Sequence, residues 1–152
     1  MQNIDIYTDG SSLGNPGPGG YGVVVVSNKE VIQELGGYEK NTTNNRMELT
    51  AVIEALEYIN KNLHDVHVSI YADSAYVLGG VTTWVANWEK NGWRTANKKE
   101  VLNQDLWRAL ITLVRESKSK ISWQKIKGHA GHEWNERADE IATSYASKQK
   151  RN

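Results

Sequence analysis

The sequence has no cysteine and no phenylalanine, and its formal net charge is zero. The first absence excludes disulfides and thiolate chemistry and suits a reducing compartment. The second leaves the aromatic content to tyrosine and tryptophan, and four of the six tryptophans fall between residues 84 and 107. With 18 basic against 18 acidic side chains, no global basic field announces nucleic acid. Any attraction to such a partner has to be local. No apolar run of membrane length and no signal-type segment is visible, so a cytoplasmic protein without a membrane role is expected. There is no repeat or linker either. Residues 1–152 read as one domain with a sizeable core, its tail frayed from about residue 148.

What is present is organised around Ile4-Asp5-Ile6-Tyr7-Thr8-Asp9-Gly10-Ser11-Ser12. It reads as a strand that ends in an acid and runs into a glycine-rich loop, which would let backbone approach a bulky ligand. Tyr21 to Val26 and Val31 to Tyr38 continue as strands, with a turn at Asn28-Lys29-Glu30, giving an antiparallel meander. Thr43 or Asn44 can cap a helix. Its apolar stripe is Leu49, Val52, Ile53, Leu56 and Ile59, and it runs to about residue 61. His67 to Asp73 is a second strand ending in an acid. Ser74 caps a short helix before Gly79-Gly80, and Val81 to Trp93 reads as a separate one. Arg94 to Leu102 reads as a loop, and Asn103 as the cap of a helix through Leu106, Trp107 and Leu110. Ile121 to Ile126 is the fifth strand, and a last helix runs from Asn135. The order is an α/β plan with a mixed sheet.

Four acids share a structural role. Asp9 and Asp73 end strands, and Glu48 and Asp139 sit near helix starts at the edges of apolar faces. Clustered carboxylates repel unless divalent cations bind among them, and oxygen-only donors suit Mg²⁺ or Mn²⁺. The plainer alternative is that each is a cap, a turn residue or a surface charge. For Glu48 and Asp139 the helix dipole alone would explain an acid. Spacing does not show that the four meet.

The motifs Thr8-Asp9-Gly10-Ser11, Gly14-Asn15-Pro16-Gly17-Pro18-Gly19-Gly20, Thr42-Thr43-Asn44-Asn45-Arg46-Met47-Glu48, Asp73-Ser74, Lys127-Gly128-His129-Ala130-Gly131-His132 and Asn135-Glu136-Arg137-Ala138-Asp139 together resemble the type 1 ribonuclease H family in its bacterial form. They occur in order over nearly the whole chain. The resemblance implies a five-stranded mixed sheet of order 3-2-1-4-5 flanked by helices. It implies a monomeric enzyme with no obligate protein partner, which cleaves the RNA strand of an RNA–DNA hybrid and leaves 5′-phosphate and 3′-hydroxyl ends. Asp9, Glu48, Asp73 and Asp139 would hold two Mg²⁺ ions, with Mn²⁺ as a substitute, and Glu136 would support them. His129 would assist proton transfer or product release. Asn15, Thr43, Asn44 and Asn45 would touch the minor groove. Trp84, Lys90, Arg94, Lys98 and Lys99, with Trp88 and Trp93, resemble a basic protrusion that grips the DNA strand. Trp88, Trp107 and Trp123 also read as core.

The sequence departs from the pattern at Glu89 and Asn91, where the family is basic, and at Ala75, where it has a glutamine. Glu89 is expected to repel the DNA strand. Two rivals remain at this stage: a DNA nuclease or strand transferase of the same superfold, and an inactive hybrid-binding module. All four acids argue against the second, and Asn44, Asn45 and the His129 loop against the first. One expectation concerns His129 alone. Read without the family, it is a solvated loop histidine. If it moves protons, His129→Ala lowers kcat by about 10²-fold in single-turnover and steady-state assays while His132→Ala does not. An unchanged kcat, or an equal loss at His132, would reject the assignment.

Overall fold

A computed structural model of the chain describes residues 2–126 and 133–147. The His129 loop lies outside the described residues. Five strands make one sheet in the order β3-β2-β1-β4-β5, as the resemblance implies. β1 (Asn3–Ser12), β2 (Gly17–Ser27) and β3 (Glu30–Thr42) form the antiparallel meander. β4 (His67–Ala72) pairs in parallel with β1, and β5 (Lys120–Lys125) in parallel with β4. The β2–β3 hairpin closes through Asn28 and Lys29, with φ of 52° and 65°. Two positive φ values in a two-residue loop match the right-handed twist of the strands, and asparagine tolerates that conformation.

The alternation in β1 gives each face of the sheet its core. Ile4 and Ile6 join Val23, Val25, Val68 and Ile70 beneath α1 (Asn44–Asn62) and α4 (Gln104–Glu116). Tyr7, Val24 and Val26 meet Ala138 and Ile141 of α5 (Glu133–Ser147) on the other side. The apolar stripe of α1 is buried as its spacing predicts, and Thr43 Oγ1 accepts from the Arg46 N–H at 3.2 Å to cap it. Trp107 and Leu110 are the fully buried residues of α4. Trp88 and Trp123 pack against the same core.

Three expectations change. The glycine-rich segment is largely strand: β2 begins at Gly17, and Ser12 and Ser11 pair with Gly19 and Gly20. A Cβ on Gly20 would run into the backbone of α5 at Ala142 and Ala146. Glycine is needed there so that α5 can lie directly on β2, not to admit a ligand.

Gly79-Gly80 does not break the helix. α2 (Ala75–Gly79) passes through a π-helical turn, Gly80–Trp84, into α3 (Val85–Lys90). Both glycines have ordinary right-handed helical angles. Their backbone freedom is not the reason for them. A Cβ on Gly80 would overlap the Trp107 ring, and one on Gly79 would crowd the Trp84 ring. The helix stops later, where Gly92 and Trp93 take φ of 66° and 62°.

Asn103 stands at the start of α4 with φ of 60° but makes no side-chain cap. Its amide instead accepts from Arg46 Nη1 at 3.2 Å and donates to the Tyr76 hydroxyl at 3.1 Å. Trp107 Nε1 donates to the same hydroxyl at 3.0 Å.

Gly80→Ala tests the ring contact. In an exposed helix that change stabilises by about 1 kcal/mol. Here overpacking against Trp107 should reverse the sign, costing about 1–3 kcal/mol in urea denaturation. A more stable variant would show that Trp107 gives way.

Candidate active site

The parallel pairing of β1 and β4 sets two of the acids. Ile6 faces Ile70 and Tyr7 faces Tyr71. Continued two residues further, that register puts Asp9 beside Asp73, with both side chains on the α5 face of the sheet. The third acid arrives from α1. At Gly10 the strand comes so close to that helix that a Cβ would strike the backbone of Met47 and Glu48. The close approach lets the Gly10 N–H donate to Glu48 Oε1 at 3.0 Å. The ligand oxygens of Asp9, Glu48 and Asp73 then lie within 4.8 Å of one another. Asp9 and Glu48 are buried, and Asp73 is exposed.

Asp139 enters from α5 and faces Asp9 closely enough to share a hydrogen bond with it. It is outside the group of three, but lines the same cleft of about 530 Å³ together with Asn135 and Glu136. Residues 135, 136 and 139 share one helical face. Neither Glu48 nor Asp139 falls in the first turn of its helix, so the dipole explanation of these acids fails.

The electrostatics are those of a site short of positive charge. Burial pushes the Asp9 carboxyl up to about 7, helped by the hydrogen bond that protonated Asp9 donates to Asp139 and by the charges of Asp73 and Asp139. Burial also holds Glu48 well above the ordinary carboxylate range, with the Asp9 and Asp73 charges adding to it and the Gly10 N–H opposing. No Lys, Arg or His is among the described residues lining the cleft. Two buried carboxylates and an exposed one, all oxygen donors, fit a hard divalent cation. The cluster can hold one.

Beside this cleft lies a second groove of about 330 Å³, lined by Asn15, Thr43, Asn44, Asn45, Leu102 and Asn103. Asn44 and Asn45 line both and so form the ridge between them. Thr43 is both groove lining and helix cap. Leu102, the most exposed of the large apolar side chains, and Asn103 were not anticipated as groove residues. The sequence signal was weak, because Asn103 reads as a cap. Asn135 and Ser74 also line the acidic cleft, and both neighbour residues already singled out.

Trp84, Lys90, Arg94, Lys98 and Lys99 line neither groove. They sit on the protrusion, exposed to solvent. Trp84 packs its ring on Tyr76 and Trp88. Arg94 Nη1 donates to the Lys98 carbonyl at 3.1 Å, which ties the basic loop to itself. Trp93 is buried and carries the Arg108 guanidinium 4.7 Å from its ring centre, so it belongs to the core and not to a contact surface. Glu89 is not a free charge. Both its oxygens accept from Arg115, at 2.6 and 2.7 Å, and that pairing lowers its pKa. Its expected repulsion of an anionic strand is therefore offset locally.

The raised carboxyl gives a stability test. The folded pKa of Asp9, about 7, lies above the unfolded value of about 4. The folded state thus holds this proton more tightly. Its contribution is full below about pH 4 and is lost as pH rises through about 7. Asp9→Asn is neutral at every pH. In EDTA at pH 8 it should melt above the wild type, and the gap should shrink towards pH 4. Added Mg²⁺ should raise the wild type more than the variant. A variant that melts no higher at pH 8 would show that the cluster carries no such strain.

Comparison with known proteins agrees with this geometry. The family model described as RNase H matches residues 1–147. A protein named ribonuclease H from Syntrophomonas wolfei is 48% identical over 143 residues, covering 93% of this chain and 94% of that one. Among solved structures, LC9-RNase H1, a type 1 RNase H with the type 2 active-site motif, superposes with a TM-score of 0.84 at 33% identity. That match covers 98% of this chain and 74% of the other. LC11-RNase H1, solved in complex with an RNA/DNA hybrid, gives a TM-score of 0.73 at 29% identity, covering 96% and 98%.

Proposed function

The chain belongs to the ribonuclease H family, and from that premise we propose that it hydrolyses the RNA strand of RNA–DNA hybrids at the acidic cleft. Water adds its oxygen to phosphorus and the bond from phosphorus to the 3′ oxygen breaks. The products are a 3′-hydroxyl and a 5′-phosphate. The observation that carries this reading is the meeting of Asp9, Glu48 and Asp73 within 4.8 Å next to a ridge of uncharged amides.

Asp9, Glu48, Asp73 and Asp139 would hold two Mg²⁺ ions, for which Mn²⁺ could substitute. Such ions supply a lowered pKa for water and neutralise charge on the leaving oxygen. The chain's own groups do the rest. Gly10 N–H orients the Glu48 carboxylate. Glu136, one turn before Asp139, supports the open side of the cleft. His129 would carry a proton to or from the reacting group. The ridge of Asn44 and Asn45 fits the wide, shallow minor groove of an A-like duplex, with one backbone in the acidic cleft. The other backbone would follow the second groove past Asn15 and Thr43 towards the protrusion. There Trp84, Lys90, Arg94, Lys98 and Lys99 would meet the DNA strand. The enzyme is read as a cytoplasmic monomer with no obligate protein partner. No helix among the described residues is long and apolar enough to cross a membrane.

The deciding assay incubates the protein with Mg²⁺ and hybrid, duplex DNA and duplex RNA side by side. Only the hybrid should be cut, EDTA should stop cleavage, and Asp73→Asn should abolish it without lowering the melting temperature. Cleavage of duplex DNA, or an active Asp73→Asn at saturating Mg²⁺, would sink the proposal. Glu89→Lys should lower KM at low salt and leave kcat nearly unchanged, because phosphate contacts are screened by salt and the acids are elsewhere. The gain should be matched by Glu89→Gln, which frees Arg115. No change in either would remove the protrusion from the interface.

A further inference from the structure

α5 meets the sheet along a floor of glycine. A Cβ on Gly22 would strike the α5 backbone at Ala138, as one on Gly20 would at Ala142, and one on Gly36 would strike the Tyr145 ring. The helix answers with Ala138, Ala142 and Ala146, all fully buried. Smooth surfaces of this kind let backbones approach, but no ridge enters a groove to fix how far the helix is turned about its own axis. Burial holds it down without direction. A cleft runs along each flank. On the β3 side Arg137 and Glu140 face Glu34 across a space of about 430 Å³. On the other side Asn135, Glu136 and Asp139 line the acidic cleft. A directional contact crosses the first cleft: Arg137 Nε donates to Glu34 Oε2 at 2.7 Å and Nη2 to Oε1 at 3.1 Å. Nη1 reaches Glu140 of the same helix only at 3.4 Å. Both partners of the fork are partly exposed, so the pair adds little stability. What a two-point fork fixes is orientation.

We propose, resting on the hybrid-cleaving reading above, that Glu34 and Arg137 are positioning residues: their fork sets the rotation of α5 on its glycine floor, and thereby the place of Asp139 opposite Asp9. Arg137 and Asp139 are two residues apart, about 200° around the helix, and so stand on opposite flanks. Side chains end about 5–6 Å from a helix axis, so a turn of about 10° carries the Asp139 carboxylate about 1 Å. A misplacement of that size can cost about 10²-fold in rate. Glu34 lies on β3, the edge strand of the sheet, and touches none of the acids. It reaches the chemistry only through the rigid turn of the helix that its partner sits on.

The full chain carries the test, as Glu34→Ala, Arg137→Gln, their double variant and Glu140→Gln. Either change at the fork should lower kcat by roughly ten- to a hundredfold, with KM for the hybrid and the melting temperature close to wild type. The double variant should lose no more than either single one, because the same contact is broken in all three. Arg137→Lys keeps the charge without the fork, and kcat should fall there too. Glu140→Gln should keep the wild-type kcat. A readout without turnover comes from residual dipolar couplings of the α5 amides in the metal-free protein, which report the rotation of the helix against the sheet. They should change in both single variants of the fork and stay as they are in Glu140→Gln. Unaltered couplings, or a wild-type kcat in Glu34→Ala, would overturn the inference. So would a raised KM in Arg137→Gln beside a lowered one in Glu34→Ala, the mark of a cation that meets phosphate directly. A wild type that cuts no hybrid would overturn the reading beneath it, while the couplings would still decide whether the fork sets the helix.

Discussion

Like charge held at close quarters is the constraint on which the rest of this structure turns. Asp9 and Glu48 are buried beside Asp73 with no cationic side chain among the described residues of the cleft. Burying such groups costs several kcal/mol unless a partner is supplied. The surrounding elements must therefore be stable enough to force the meeting. The parallel pairing of β1 with β4 forces two of the acids together. The contact of Gly10 with α1 delivers the third. The hydrophobic layers on both faces of the sheet hold all three elements in place. Folding thus stores repulsion that a divalent cation would relieve.

Much of this was legible in the sequence because it follows from local period and chemistry. The apolar stripe of α1, the Thr43 cap and the two acid-ended strands are readable from spacing of two and of three to four. The strand order and the meeting of the acids were not derivable in that way. They came from resemblance, since register between β1 and β4 is a relation across more than 60 residues.

What stayed hidden was hidden for definable reasons. Gly79-Gly80 looks like a break because glycine usually punctuates helices, but the cause is the Trp107 ring across the core. Gly20 looks like part of a ligand loop until α5 is laid upon it. Glu89 looks unpaired because Arg115 is far along the chain and comes from another helix. Asn103 looks like a cap, yet its backbone is left-handed and its amide is spent on Arg46 and Tyr76. In each case the deciding neighbour is distant in sequence, and no window of local pattern contains it.

The unbroken passage from α2 through the π-helical turn into α3 bears on mechanics. The protrusion has no glycine hinge at its root. It is a cantilever, clamped where the Gly80 backbone meets the Trp107 ring, and stiffened by the contacts of Trp88 with Trp84 and with Trp93. A load applied at its tip is passed through rings into the core beneath the sheet, with no flexible joint to absorb it. The separation between the tip and the acidic cleft is then a fixed span, set during folding. Under the proposed function that span would work as a gauge: a duplex of the wrong width would meet one end or the other, but not both.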